Sequence, residues 1–273
     1  RTNGASSRFQ AGSPLAASPN PAGILELCNI DSSGGDIDLL APGGIKLLGA
    51  AYSGGNINVG TVANLASFIT IQACSTSCIN TSSSSPLGGS LPVVFNSTGL
   101  IRYAAVNTTT FTAPATINAD DVVFGVSNAV VFQNANGGVT NVNINTQQNT
   151  TFNPDLFFNG GTSLVVNALG DVVVNGDTLT SSGGAQISFS AQQDLLLNGL
   201  MNFSQGGVDA TFFAGRDFIT NGNLNANGFN NSLILGLVGR DIVMNGDLDF
   251  VSNNVVSPPN NDLFINFHAG RNV

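Results

Sequence analysis

The sequence predicts an all-β solenoid, a fold in which short parallel strands stack coil upon coil. Four segments share one pattern of Asp, three mostly apolar residues and Asn-Gly, and they recur about every 23 residues. A second apolar run lies between successive copies, and turns rich in Gly and Asn separate the runs. A fixed period in the range of about 20–50 residues is typical of solenoids, because a short strand buries its apolar face only by stacking on its neighbours.

The repeat unit is clearest between Gly170 and Phe250. Its Asp and Asn residues are predicted to lie at turns, with Asp bonding local backbone amides, Asn forming ladders between coils, and Phe stacking inside. These repeat positions are Asp171, Asn175, Asp194, Asn198, Asp217, Asn221, Asp241 and Asn245. The alternative for Asp is an acidic column, whose repulsion is tolerable only if Arg216 and Arg240 interleave or cations bind.

An antiparallel β-sandwich is the competing fold, since Asn-Gly is also the strongest signal for a two-residue hairpin. A sandwich places turns about every 8–12 residues, whereas here the same residue types recur at one longer spacing. The density of Gly and Asn disfavours helix. The preferred fold is therefore a β-solenoid with coils of about 20–24 residues and inserted loops.

The chain is predicted to form one solenoid whose regularity varies along its length. Residues 1–22, rich in Ser, Ala, Gly and Pro, are expected to be a flexible or capping N-terminal segment. Residues 23–273 form the solenoid, with regular repeats at about 160–273 and an irregular, loop-rich middle at about 61–160.

The composition excludes several classes of function. Only 8% of residues are charged, 42% are hydrophobic, and the net charge is -9. Lys and Arg are scattered singly, so we expect no surface for nucleic acid, whose phosphates need clustered cations. No apolar run reaches the length of about 18 residues that a membrane-spanning helix needs.

No motif indicates a catalytic, metal or cofactor site. Asp120 and Asp121 are adjacent, and because neighbours on a strand face opposite ways, this pair is predicted to lie in a turn. The single histidine, His268, cannot make a Cys/His zinc site and is expected to be a structural or surface residue. Tandem calcium-binding nonapeptides, Walker loops and metalloprotease or hydrolase motifs are missing. We therefore expect no enzymatic activity and no cofactor.

The sequence is consistent with two states of the cysteines, and with both glycosylated and unmodified Asn-x-Ser/Thr sequons. Cys74 and Cys78 are spaced for a small disulfide loop, and the alternative is that these two and Cys28 are thiols. Asn-x-Ser/Thr sequons matter only in a source that glycosylates exported proteins. They begin at Asn80, Asn96, Asn107, Asn149, Asn202 and Asn230.

Two short motifs recur in the chain. The first is Gly, then Asp or Asn, then Ile; the second is Gly-Arg, then Asp or Asn, then an apolar residue, with Ala before the Gly in two of its three copies. They occur at Gly35-Asp36-Ile37, Gly55-Asn56-Ile57, Ala214-Gly215-Arg216-Asp217-Phe218, Gly239-Arg240-Asp241-Ile242 and Ala269-Gly270-Arg271-Asn272-Val273. Because of these motifs, the segments from about 23 to 60 and from about 160 to 273 resemble the filamentous haemagglutinin family, the large exoproteins of bacterial two-partner secretion. The run Asn20-Pro21-Ala22-Gly23 is similar to the family's Asn-Pro-Asn-Gly secretion motif, with Ala in place of Asn.

The resemblance implies a right-handed parallel β-helix, export through an outer-membrane transporter, and a role in adhesion or surface structure. We therefore expect a secreted or cell-surface rod that presents loops, around 72–90 and 133–160, to cell-surface glycans, proteins or like subunits. One alternative is a self-assembling extracellular filament subunit. Another, on grounds of fold alone, is a β-helical enzyme that degrades polysaccharides.

Overall fold

The computed structural model describes residues 7–10, 23–27, 30–32, 34–49, 51–60, 66–72, 93–133, 140–180, 184–203, 207–225, 232–249 and 264–271. Within these residues the chain is all β, and each strand is followed by a strand of the next sheet. Three parallel sheets of ten strands result, because every turn of the chain adds one strand to each sheet. The predicted parallel β-solenoid is confirmed.

The strands are numbered β1 to β30 in chain order, and the sheets are called sheets I, II and III. Sheet I contains β1 (Ser7–Gln10), β4 (Ile37–Leu40), β7 (Ile57–Val59), β10 (Leu100–Tyr103), β13 (Asp121–Phe124), β16 (Thr150–Phe152), β19 (Val172–Val174), β22 (Leu195–Leu197), β25 (Phe218–Thr220) and β28 (Ile242–Met244). Sheet II contains β2 (Ile24–Leu27), β5 (Gly44–Leu47), β8 (Ile69–Ile71), β11 (Thr108–Phe111), β14 (Ala129–Phe132), β17 (Asp155–Phe158), β20 (Thr178–Thr180), β23 (Met201–Asn202), β26 (Leu224–Asn225) and β29 (Leu248–Asp249). Sheet III contains β3 (Ile30–Ser32), β6 (Ala51–Ser53), β9 (Val93–Ser97), β12 (Ala115–Ala119), β15 (Thr140–Thr146), β18 (Thr162–Ala168), β21 (Gln186–Ala191), β24 (Asp209–Ala214), β27 (Ser232–Val238) and β30 (Phe264–Ala269).

Alternate residues of each strand point into the coil. In β19, Val172 and Val174 are buried while the residue between them is half-exposed. Val172 pairs in register with Leu195, and Leu195 with Phe218, so each inward side chain rests on the inward side chain of the adjacent coil. One continuous apolar core therefore fills the space between the three sheets.

Aromatic rings stack along the inside of the coils, as the sequence predicts. Tyr103, Phe124 and Phe152 form a column in sheet I with centroid distances of 4.9 and 4.8 Å. Phe132 and Phe158 stack in sheet II with centroids 4.9 Å apart. These distances match the spacing of about 4.8 Å between hydrogen-bonded strands, so ring stacking and backbone pairing reinforce each other.

The middle of the chain is more regular than predicted. Strands β9 to β17 pair in register with the coils on both sides. The irregular middle predicted at about 61–160, and the loop predicted at 133–160, are corrected here: residues 93–133 and 140–160 continue the coil. The repeat was hidden because coil length varies, with equivalent Asn residues 22, 27 and then 22 positions apart.

The N-terminal segment also contributes to the solenoid. Strand β1 pairs with β4, and Ser7 lies beside Ile37, so part of the segment predicted to be flexible or capping belongs to sheet I. The Cys74–Cys78 pair and most of the loop predicted at 72–90 lie outside the described residues.

Removal of the Tyr103 hydroxyl is expected to stabilise the chain. Tyr103 is 1% exposed, and its hydroxyl has no hydrogen-bond partner among the described residues. Because an unpaired buried polar group costs about 1–3 kcal/mol, Tyr103→Phe should raise the free energy of unfolding in urea by about 1 kcal/mol or more. Tyr52→Phe is the control, since Tyr52 is 44% exposed and its loss of a hydroxyl should change little. Destabilisation by Tyr103→Phe would show that the hydroxyl is hydrogen-bonded.

Candidate functional site

The repeated Asp residues stand at the corner that precedes sheet I and form a column along the solenoid. The Asp171 carboxylate accepts a hydrogen bond of 2.9 Å from the backbone N–H of Asp194, and the Asp194 carboxylate accepts one of 3.1 Å from Asp217. Asp217 in turn accepts from the N–H of Asp241 at 3.3 Å. Asp171, Asp194 and Asp217 thus cap the next coil, which corrects the prediction that the repeat Asp bonds amides within its own turn.

This column continues toward the N-terminus through residues that are not among the predicted repeat positions. Asp36 accepts from the N–H of Asn56 at 2.7 Å, and Asn149 accepts from the N–H of Asp171 at 2.8 Å. Asp121 accepts from the N–H of Asn149 at 3.0 Å. The signal that identifies these members is an Asp or Asn placed immediately before, or at the start of, a short strand of sheet I, as at β4, β7, β13 and β16.

Arginine side chains interleave with the Asp column, as the alternative interpretation of the repeat required. The Arg216 guanidinium donates two hydrogen bonds to Asp194, the one from Nε measuring 2.6 Å. Arg240 binds Asp217 in the same two-point manner, with Nε at 2.9 Å. Arg271 binds Asp241 likewise. Two-point guanidinium–carboxylate pairs are strong and directional, and they relieve the repulsion between stacked carboxylates.

The ion pairs shift the pKa values of the Asp carboxyl groups and the Arg guanidinium groups that form them. The hydrogen bond from Arg216 lowers the pKa of the Asp194 carboxyl below its ordinary value of 3.8, and Arg240 does the same for Asp217. In return, Asp217 raises the pKa of the Arg240 guanidinium. Both partners therefore stay charged across the neutral range, and these carboxyls are poorly suited to proton transfer near pH 7.

The Asn residues of the repeat form the predicted ladder at the corner that follows sheet I. Each side-chain amide donates from Nδ2 to Oδ1 of the Asn one coil before. The donor–acceptor distances are 2.8 Å for Asn175 to Asn153, and 2.7 Å for Asn198 to Asn175, Asn221 to Asn198 and Asn245 to Asn221. Because an amide both donates and accepts, this column needs no counter-charge.

Two further polar columns were not predicted. Where the chain enters sheet II, Asp155 accepts from the N–H of Asp177, and Asp177 from that of Leu200, both at 2.8 Å. On the outer face of sheet III, Asn side chains are linked at 2.6, 3.0 and 3.1 Å. These four residues are Asn96, Asn118, Asn145 and Asn167.

The glycine of each Asn-Gly turn is required by close packing of successive coils. A Cβ on Gly222 would lie 2.0 Å from the carbonyl oxygen of Gly199, and one on Gly199 would lie 2.2 Å from that of Gly176. Both distances are far below contact distance, and the opposing atoms belong to backbone that cannot rotate away. Asn-Gly therefore serves two purposes, since Asn links the coils and Gly lets them approach.

The acidic pair and the histidine are not placed as a catalytic centre would require. Asp120 lies in the turn between β12 and β13, as predicted, and the Asp121 carboxylate belongs to the corner column. His268 is an exposed residue of β30. Within the described part of the chain, no group of three His, Cys, Asp or Glu side chains is arranged to hold a metal ion.

The sequons differ in what their Asn side chains do. Asn96 and Asn149 are engaged in the columns, whereas Asn107 is exposed. Asn80 and Asn230 lie outside the described residues.

Comparison with known proteins gave no match to a family model, a curated protein or a solved structure. The resemblance to filamentous haemagglutinin exoproteins therefore stays a prediction. Among the described residues there is no helix of the length and hydropathy needed to cross a membrane.

Gly222→Ala is expected to destabilise the chain by about 1–3 kcal/mol, because the added methyl group would force stacked backbones apart. Gly125→Ala is the matched control. Its Cβ would lie 3.4 Å from the nearest atom, the carbonyl oxygen of Tyr103, so its effect should stay within about 0.5 kcal/mol. Urea unfolding of both variants provides the measurement, and equal effects would contradict the role assigned to the turn glycine.

The Asp–Arg column should make the fold sensitive to acid. Since the pKa of Asp194 and of Asp217 is lower in the folded chain than its ordinary value of 3.8, the pairs stabilise fully above that value. Their contribution is lost as the pH falls through the lower folded values, so the urea midpoint should drop below about pH 4.

A double variant tests this origin of the acid sensitivity. Asp194→Asn with Asp217→Asn keeps one acceptor oxygen at each position for the backbone N–H but removes the ionisable groups, so its midpoint should change less between about pH 5 and 3. Asp209→Asn, at an exposed position of β24, should keep the pH profile of the native chain. An unchanged profile in the double variant would show that other carboxyls govern the acid response.

Proposed function

We propose that this chain is a non-enzymatic structural or adhesive protein that acts at the cell surface or after secretion, as a stiff β-helical rod. The observation that carries the proposal is the continuous pairing of ten strands in each of three sheets, with polar columns along the corners. Ten strands at about 4.8 Å each give a stack roughly 45 Å long. This architecture is compatible with a spacer or a scaffold for contacts.

The chemistry of the outer faces supports adhesion through many weak contacts. Outward positions of sheet III carry uncharged polar groups, such as Asn145, Asn167 and Ser190, at intervals of one strand spacing. Amides and hydroxyls at a regular spacing suit the hydroxyl groups of glycans or the polar surface of a protein. The partners we propose are therefore cell-surface glycans or proteins.

The Ala-Gly-Arg-Asp motif at 214–217 supports the family resemblance, because its residues make contacts that a solenoid needs. At Gly215 a Cβ would lie 2.1 Å from the carbonyl oxygen of Gln192, so only glycine fits. Arg216 then pairs with the preceding coil through Asp194, and Asp217 caps the following coil. Every residue of the motif serves the solenoid. Export through an outer-membrane transporter is proposed from the resemblance alone.

The contact region we propose is the stretch around residues 72–90, which the sequence predicts to be an inserted loop and most of which lies outside the described residues. Loops that project from a rigid body commonly carry binding residues.

The adhesive role is tested by surface plasmon resonance of the full chain on immobilised glycans and on isolated cell-surface fractions. We expect saturable binding, with no reducing ends released from soluble acidic or neutral polysaccharides. The double variant Asp120→Asn with Asp121→Asn should behave like the native chain in both assays. A lack of saturable binding would overturn the adhesive role, and polysaccharide cleavage that this variant abolishes would overturn the non-enzymatic proposal.

A further inference from the structure

The Asn ladder ends at Asn153, and the column continues beneath it with small residues. Tyr103, Phe124 and Phe152 are aligned in register in β10, β13 and β16. The residues that follow them are Ala104, Gly125 and Asn153, which therefore occupy equivalent positions in successive coils. The side chains that would extend the ladder through two more coils are absent.

An open groove of about 470 Å³ lies where those side chains are missing. Its lining consists of Arg102, Ala104, Val123, Gly125, Val126, Ser127 and Asn153. The volume falls within the range of about 300–1,000 Å³ that is usual for ligand sites. The groove is thus a product of the repeat pattern, formed where one column of the solenoid is interrupted.

Two hydrogen-bond donors of this groove lack acceptors among the described residues. Arg102 has no carboxylate partner there, whereas Arg216, Arg240 and Arg271 each bind an Asp at two points. The cross-strand neighbours of Arg102 are Asn58 and Val123, neither of which is acidic.

Asn153 is the second such donor, because its Oδ1 accepts from Asn175 while its own Nδ2 group meets no acceptor in the described chain. In the rest of the ladder the equivalent Nδ2 groups bind an oxygen one coil below. An acceptor atom placed over Gly125 would restore that bond. A guanidinium and an unused amide facing one groove favour a ligand with carboxylate oxygens.

The other residues that line the groove indicate what the ligand must be beyond its carboxylate. Val126 is 50% exposed and Val123 is half-exposed, so the groove offers apolar surface beside the donors. The backbone N–H groups of Ala104 and Gly125 already donate to the carbonyl oxygens of Val59 and Tyr103, at 2.9 and 2.8 Å. No strand edge is therefore free there to pair with a peptide, whereas a sugar ring can lay its C–H face on the valines.

We propose that this groove binds a uronic acid unit of an acidic glycan, with the sugar carboxylate held between Arg102 and Asn153. The assignment rests on the proposed adhesive function and names the ligand class that the groove would recognise. The ring packs over Gly125 against Val123 and Val126, and its hydroxyls reach water or Ser127. Because the chain carries a net charge of -9, a short oligomer is a better probe than a long polyanion.

Isothermal titration of trigalacturonate into the full chain tests the proposal. We expect Arg102→Gln to weaken binding about tenfold or more, since a charge-assisted contact is lost. Lys46→Gln is the matched control, because it makes the same change in charge on sheet II and should leave the affinity within about twofold. The methyl ester of trigalacturonate, which lacks the free carboxylates, should bind about tenfold more weakly than the acid.

A variant that fills the groove distinguishes binding in the groove from a general effect of charge on binding. In Gly125→Asn, the new Cβ would lie 3.4 Å from its nearest neighbour and the residue has no positive φ, so the chain should fold as judged by circular dichroism. The added amide extends the ladder into the groove, and trigalacturonate binding should be lost. Equal binding of the methyl ester, equal loss in Lys46→Gln, or retained binding in Gly125→Asn would overturn the assignment, as would competition by a peptide carboxylate at the same affinity.

The ligand assigned to the groove and the adhesive function are tested independently of each other. If the native chain binds glycans or cell-surface fractions but not trigalacturonate, the groove assignment is wrong and the adhesive proposal stands. If trigalacturonate binds as described but no surface is bound, the groove assignment stands and the adhesive proposal is wrong.

Discussion

The hydrogen bond from a corner amide to a side chain of the adjacent coil is the contact on which the rest of the structure depends. Within a sheet, backbone groups satisfy one another, but where the chain turns, an N–H such as that of Asp194 leaves this pattern and needs another acceptor. The Asp171 carboxylate supplies one at 2.9 Å. Because the acceptor belongs to the neighbouring coil, it holds the corner at strand spacing, and the aromatic columns and glycine turns then fit at that spacing.

The two corners that flank sheet I both link successive coils through side chains, but the side chains differ in charge. Asn175 and its equivalents both donate and accept, so a neutral ladder extends without repulsion. Asp carboxylates only accept, and stacking them requires cations between the coils. The chain has seven Lys and Arg residues, and three of them, Arg216, Arg240 and Arg271, are placed for this purpose. A chain with 8% charged residues thus concentrates its positive charge where the carboxylates are stacked.

The sequence was sufficient to predict the parallel coil and the Asn ladder, because identical residue types recur at 23 or 24 positions from Asn175 to Asn245. It did not distinguish an Asp that caps its own turn from one that caps the next coil, since both leave the same pattern along the chain. The sheet II strands of the regular repeats were not predicted, because strands such as β23 have only two residues. The groove beside Arg102 was not predictable, as it is defined by side chains that Ala104 and Gly125 lack.

Because every column links a residue to its equivalent one coil away, the chain can change length without disrupting the columns only by whole coils. Removal of residues 171–193, one coil of 23 residues, would bring Asp194 to the place of Asp171 and Leu195 to the place of Val172, with the Asp and Asn columns and the inward apolar positions still in line. A deletion of fewer residues within a strand would shift all of these columns at once. Whole coils are therefore the units by which duplication or loss can lengthen or shorten the molecule, while the space between strands tolerates insertions of other sizes.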